Sequence, residues 1–273
     1  MRPPNVAPMS TAASPATRYE LAGGVATITL DRPDNRNALS VELVESLAGN
    51  MQRAQGDEAV RVIVLTNTGN TFCAGADLKA ASQLGQAGAP APASGGLSMI
   101  DVLNMVHESP KPVVGKLAGH CLAGGLGLAA SCDLSVASDD ALFGFTEVRI
   151  GVAPAVISVV CLPKLRRADA LELFLCGERV SAARAAEVGL INRSVPAAEL
   201  DAAVDELVAK VVRGGPNALA ASKRLVFDVP AMSRGAAFEA MGPLSAGLFA
   251  SAEGQEGIAA FRERRDASWI PQD

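Results

Sequence analysis

The stretch from Val113 to Asp133, VVGKLAGHCLAGGLGLAASCD, constrains the fold more than any other part of the chain. Its first residues, Val113 to Leu117, form a short apolar run of the kind that makes a buried strand. Gly119, Gly124, Gly125 and Gly127 then lead into an alanine-rich segment of helical composition. A strand feeding a glycine-rich helix start aims bare backbone N–H groups in one direction, and such groups attract negative charge. Glycine also lacks the Cβ that would hold a ligand atom away from them. The same residues would equally let helix and strand pack closely, so glycines alone do not decide between the two roles.

At 273 residues the chain can build one large domain or two smaller ones. Its net charge of −5, with acidic and basic residues interspersed, argues against a nucleic-acid surface. The five cysteines are scattered and lack a CxxC pair, so neither a disulfide framework nor a zinc site is expected, and a reducing cytoplasmic location fits. Any metal site or Ser-His-Asp triad would have to use His107 or His120, the only histidines. Residues 1–17 are rich in Pro, Ala, Ser and Thr with no apolar core, which predicts a disordered lead-in rather than a signal peptide. No apolar run approaches the roughly 18 residues that a membrane span needs.

Val25 to Leu30 reads as a strand, and DRPDNRNAL as the turn-rich connection after it. Ser40 is placed to cap a helix whose apolar side is Leu39, Leu43, Leu47 and Met51. Val60 to Thr66, VRVIVLT, has the continuous apolar character of a strand covered on both faces. Residues 82–96 carry almost no large side chains after Leu84 and predict a mobile loop. Ser98 to Ser109 predicts a helix with Ile100, Leu103 and Val106 inward and Asp101, Asn104 and Glu108 in solvent. Short strands follow at Leu134–Ala137 and Leu142–Phe145. A recurring strand, turn and helix suits either an open parallel α/β sheet or a chain coiling through repeated turns, and spacing does not choose. Beyond Ser194 the chain is almost purely helical, with a Leu200, Val204, Leu207, Val211 stripe, an N1 proline at Pro216, and helices carrying Phe238, Met241, Leu248, Phe249, Ile258 and Phe261. This much apolar surface predicts burial between subunits.

Two chemistries compete for the glycine-rich stretch. Gly125-Leu-Gly127-Leu-Ala-Ala130, with Glu147 about 20 residues on, resembles a dinucleotide fingerprint, but Ala118 to Gly124 separate it from its strand. Alternatively, this helix start and the turn FCAGADLK each supply a backbone N–H to one carbonyl oxygen, an oxyanion hole that stabilises an enolate more than the neutral carbonyl.

The runs TFCAGADLK, GHCLAGGLGLAASCDL, FTEVRIGVAPAVIS and SAEGQEGIAAFRERRDASW, in that order, resemble the enoyl-CoA hydratase/isomerase (crotonase) family over about residues 18–270. The resemblance implies a crotonase-like α/β spiral of ββα turns over residues 18–195 and a C-terminal helical trimerisation region over 196–273, assembled as a homotrimer or homohexamer. It implies an acyl-CoA thioester substrate with no separate cofactor and no metal, since coenzyme A enters with the substrate. By the same resemblance the N–H groups of Ala76 and Gly124 form the oxyanion hole, Arg36, Ala38, Ala74, Asp77 and Leu78 line the coenzyme A channel, and Phe261 and Arg264 match positions that reach a neighbouring subunit's coenzyme A. Family hydratases of the best-known kind carry two glutamates; here one position is Gly127 and only Glu147 remains. Glu147 is thus the expected acid/base, its pKa raised by an apolar pocket such as Phe143, Phe145 and Val148 would supply; the plain alternative is a surface glutamate paired with Arg149. The implied activity is enoyl-CoA hydration, with Δ3,Δ2-enoyl-CoA isomerisation and non-catalytic acyl-CoA binding as the alternatives.

Overall fold

The computed structural model describes residues 15–77 and 96–271. Most of the expected lead-in, Leu78, and the expected loop apart from Gly96 lie outside the described residues. The strands are β1 (Thr17–Ala22), β2 (Val25–Leu30), β3 (Val62–Asn67), β4 (Thr71–Cys73), β5 (Val113–Leu117), β6 (His120–Leu122), β7 (Leu134–Ser138), β8 (Leu142–Gly144), β9 (Val180–Ser181) and β10 (Arg193–Val195). The α-helices are α1 (Val41–Gly56), α2 (Met99–His107), α3 (Gly124–Ser131), α4 (Ala155–Cys161), α5 (Arg167–Cys176), α6 (Ala182–Glu187), α7 (Leu200–Val212), α8 (Pro216–Asp228), α9 (Arg234–Ala250) and α10 (Ala252–Glu263).

Strand order decides the question that spacing left open. A six-stranded sheet runs β1-β2-β3-β5-β7-β10 and a four-stranded one β4-β6-β8-β9. Successive turns of chain therefore give one strand to the large sheet and the next to the small one: β3 then β4, β5 then β6, β7 then β8. All of these neighbours pair parallel, and only β1/β2 and β8/β9 are antiparallel. The result is a spiral of ββα turns, not an open doubly wound sheet.

The strand read as covered on both faces is so covered. Ile63 and Leu65 of β3 enter the main core with Leu43, Leu47 and Met51 of α1, whereas Val62 and Val64 face Leu200, Val204 and Leu207 of α7. This corrects one expectation: the Leu200 stripe is buried against its own sheet and not between subunits. In α9 and α10, by contrast, Phe238, Phe249 and Phe261 stand exposed. The caps follow the sequence: Ser40 accepts from the Leu43 N–H, and Pro216 opens α8. Ser98 and Asp101 form a reciprocal capping box on α2, which assigns Asp101 a structural task. On that helix the inward residues are Val102, Leu103 and Val106; Ile100 is exposed, against expectation, because the buried arc is centred on the Val102 side of Leu103 and Val106. β1 begins at Thr17 with Ala16 already buried, inside the stretch expected as lead-in. No helix among the described residues is long and apolar enough to cross a membrane.

The C-terminal helices are tied to the spiral by an ion pair between Lys223 of α8 and Asp133, 3.0 Å apart, with side chains 7% and 16% exposed. Lys223 also donates to the Val106 carbonyl, and Asp133 accepts from the Val113 N–H at 2.8 Å. Burial raises the Asp133 pKa despite the lysine beside it. Removing one partner leaves an uncompensated buried charge, so Lys223→Met is expected to destabilise by about 3 to 5 kcal/mol at neutral pH. The deficit should shrink in acid as Asp133 takes up a proton; urea midpoints at two pH values would measure both.

Candidate active site

The site is built where two turns meet. The first follows β4: the Ala74 N–H donates to the Arg36 carbonyl at 3.1 Å and the Leu39 N–H to the Gly75 carbonyl at 2.8 Å, stitching residues 74–76 to the connection before α1. That connection holds its shape through Arg36 and Asn37 in left-handed conformations and through the buried Asn37 amide. Asn37 Nδ2 donates to the Thr68 and Thr71 carbonyls, and Oδ1 accepts from the Arg32 N–H. The second turn is Ala123, between β6 and α3, at φ +49 and ψ −126. A non-glycine residue there is strained, and such strain collects at functional sites.

Gly75 brings the turns into contact. At φ +90, a Cβ placed on it would lie 2.8 Å from the Ala123 Cβ and 2.9 Å from the Gly124 N. Gly124 is the first residue of α3, so its N–H has no intrahelical acceptor. Among the described residues, neither the Ala76 nor the Gly124 N–H donates to another backbone carbonyl. Ala76 and Gly124 line one cavity of about 380 Å³, together with Ala74, Met99, Ala123 and Glu147.

Glu147 enters from a short 3-10 turn, Thr146–Ile150, after β8. Its Oε2 is buried and, among the described residues, without a hydrogen-bond partner. Desolvation therefore dominates and raises its pKa, with its own backbone N–H opposing. The surface-pair alternative does not hold, because Arg149 lies 3.7 Å from Glu178 instead. The expected aromatic pocket also needs correction. Phe143 and Phe145 are fully buried core residues, Phe145 against Phe174 with ring centroids 4.2 Å apart, and Val148 lies against Gly177. The apolar walls beside Glu147 are Met99, Ile150, Val152, Val156 and Ile157. Sequence reasoning missed these residues; for Ile150, Val152, Val156 and Ile157 the one signal was the apolar run IGVAPAVI, which begins three residues after the glutamate, whereas Met99 comes from α2.

The other expected residues are spread out. Arg36, the buried Ala38 and Asp77 belong to the strap around the first turn and do not themselves line this cavity, whereas Ala74 does. Phe261 on α10 is 85% exposed and Arg264 ends that helix in a left-handed conformation; neither lines the cavity within the chain. The Asp101 carboxylate is engaged by its cap and Glu108 is exposed, so neither supplies a second acid. His107 stacks on Phe227, and His120 Nδ1 accepts from the Leu142 N–H. Among the described residues no cluster of three or more His, Cys, Asp or Glu could hold a metal ion.

The dinucleotide reading fails on packing. A Cβ on Gly125 would lie 2.6 Å from the Cys73 carbonyl carbon, and one on Gly127 2.7 Å from the Ile157 Cβ. Both glycines are filled against by protein, which leaves no approach for a pyrophosphate. Burial also silences the thiols: Cys73, Cys132 and Cys161 are pushed up to about 12 and Cys121 well above the ordinary value, while Cys176 is exposed. A thiol reagent at neutral pH should modify one of the five cysteines in the native chain and all five after unfolding.

The model of the enoyl-CoA hydratase/isomerase family matches residues 20–272. An enoyl-CoA hydratase of Mycobacterium tuberculosis is 33% identical over 252 residues, covering 92% of this chain and 95% of that protein. Among solved structures, an enoyl-CoA hydratase of Mycobacterium smegmatis superposes with a TM-score of 0.83 at 30% identity, covering 94% of this chain and 99% of that one. One from Shewanella pealeana gives 0.85 at 27% identity, covering 93% and 96%.

Proposed function

The chain belongs to the enoyl-CoA hydratase/isomerase family, whose members act on coenzyme A thioesters, and from that premise we propose that it hydrates a 2-enoyl-CoA with Glu147 as its one acid/base. The observation that carries the reading is a buried, unpartnered carboxylate oxygen sharing a cavity with the Ala76 and Gly124 turns. The thioester oxygen sits between the two N–H groups, which hold it more strongly as negative charge develops. The Glu147 carboxylate takes a proton from water as the water oxygen bonds to C3, the electron pair moves onto the thioester oxygen, and the resulting carboxylic acid returns the proton to C2. Water is added across the double bond and the carboxylate is regenerated, so no cofactor is consumed. The family names of the relatives above support hydration.

Gly127 favours a second reading. With no carboxylate at that position, one glutamate can move a proton from C2 of a 3-enoyl thioester to C4, which is Δ3,Δ2 isomerisation and needs no water. Crotonyl-CoA, 3-methylglutaconyl-CoA and a 3-enoyl-CoA assayed in parallel separate the readings. Loss of the conjugated thioester absorbance marks hydration, its appearance from the 3-enoyl substrate marks isomerisation, and binding with neither change leaves a non-catalytic binder. We also propose that the exposed Phe238, Phe249 and Phe261 are covered in a homotrimer or homohexamer, which light scattering would detect.

A further inference from the structure

Ile157 stands at an unusual junction. It is only 2% exposed and yet lines the Glu147 cavity. Across from it, α3 presents Gly127, and a side-chain carbon added there would collide with Ile157 Cγ2 and lie 2.7 Å from its Cβ. One branch of the isoleucine is thus seated in the notch that the missing Gly127 side chain leaves, on a residue that also lines the cavity. The notch fixes the wall: α4 cannot move inward without Ile157 meeting the Gly127 backbone, and a gap behind it would leave a dry void.

Among the described residues, the rest of the lining is mostly apolar. Met99, Val152, Pro154 and Val156 are apolar. The only cation among the described lining residues, Arg149, has its Cγ and Nε against Gly177 and its guanidinium towards Glu178. Among the described residues, discrimination among acyl groups rests on volume, and the wall whose position is set by an interlock is the one placed to measure it.

We infer that Ile157, keyed into Gly127, is the specificity-determining residue that limits the length of the acyl chain this cavity accepts. The inference rests on the reading of the cavity as an acyl-CoA site. Two substitutions act on the same wall in opposite directions. Ile157→Val removes one terminal methyl and should shift the preference towards longer chains; Gly127→Ala pushes the isoleucine into the cavity and should shift it towards shorter ones.

The test measures binding of saturated butyryl-, hexanoyl-, octanoyl- and decanoyl-CoA, which does not depend on turnover, alongside kcat/KM for the matching 2-enoyl thioesters. Unfolding midpoints establish that each variant is folded. The ratio of long-chain to short-chain affinity is expected to rise about tenfold in Ile157→Val and to fall about tenfold in Gly127→Ala, the scale of one methylene in an apolar pocket. Superimposable chain-length profiles in the wild type and both variants, or shifts in the same direction, would overturn the inference. The two readings fail separately. Binding shifts as stated with unchanged turnover in Glu147→Gln sink the acid/base assignment and leave Ile157 in place; lost turnover in Glu147→Gln with coincident profiles sinks the role of Ile157 alone.

Discussion

Glu147→Gln is expected to lower kcat/KM by on the order of 10²-fold or more, the usual scale for losing a general acid/base, without loosening the fold. The second half of that expectation separates a catalytic carboxylate from a structural one. Oε2 has no partner to lose among the described residues, so the amide breaks no hydrogen bond there. The carboxylate, by contrast, is held against desolvation, which raises its folded-state pKa above the ordinary glutamate value of 4.5. Between the unfolded and the raised folded value the native chain binds more protons than the unfolded one. This group's contribution to stability is therefore full below the unfolded pKa and is lost as pH rises through the folded pKa. Glutamine carries no charge to bury, so the variant should be at least as stable as the wild type at pH 7 and lose its advantage in acid. In the active enzyme the base form is required, so kcat/KM should rise with pH with a midpoint above 4.5. A variant that retained turnover, or that melted well below the wild type at pH 7, would refute the assignment.

Gly125→Ala is expected to cost about 3 kcal/mol or more and, where the chain still folds, at least about 10²-fold in kcat/KM. The new methyl would collide with the Cys73 carbonyl oxygen and stand 2.6 Å from its carbon and 2.7 Å from the Cys73 Cβ. These are mostly backbone atoms of β4, whose pairing with β6 holds Cys73 opposite Cys121, so they cannot rotate aside. Relief requires α3 and β4 to part, and that movement carries the Gly124 N–H away from the Ala74–Ala76 turn. The control is Gly49→Ala in α1, where an added Cβ meets nothing within 4 Å. That change should stabilise by about 0.4 to 1 kcal/mol through the unfolded chain. Wild-type urea midpoints for Gly125→Ala would show that the helix and strand are not locked together as described.

The two substitutions also mark what each level of description contributes. The glycines of GHCLAGGLGLAASCD are legible as a cluster, but their tasks differ and only neighbours distant in sequence assign them. Gly125 admits the Cys73 backbone, Gly127 admits Ile157, and Gly75 lets the first turn reach the start of α3. Similarly, Phe143 and Phe145 adjoin Glu147 in sequence and were the natural choice for its pocket. The chain turns after β8, so the aromatic rings go to the core and Met99 and Ile157 come to the carboxylate from other elements.

Local chemistry by itself determined strands β2, β3, β5, β7 and β8, the Ser40 and Pro216 helix starts, the apolar face of α1 and the glycine-rich turns before Ala76 and at the start of α3. Each of these follows from period, capping or backbone freedom within a few residues. Only the tertiary structure decided that the strands alternate between two sheets, that the Leu200 stripe covers β3 and β5, and that the cavity is walled by Ile157. Those outcomes depend on which surfaces meet once the chain has coiled, and a surface's partner is set by shape and burial across many residues rather than by its own composition.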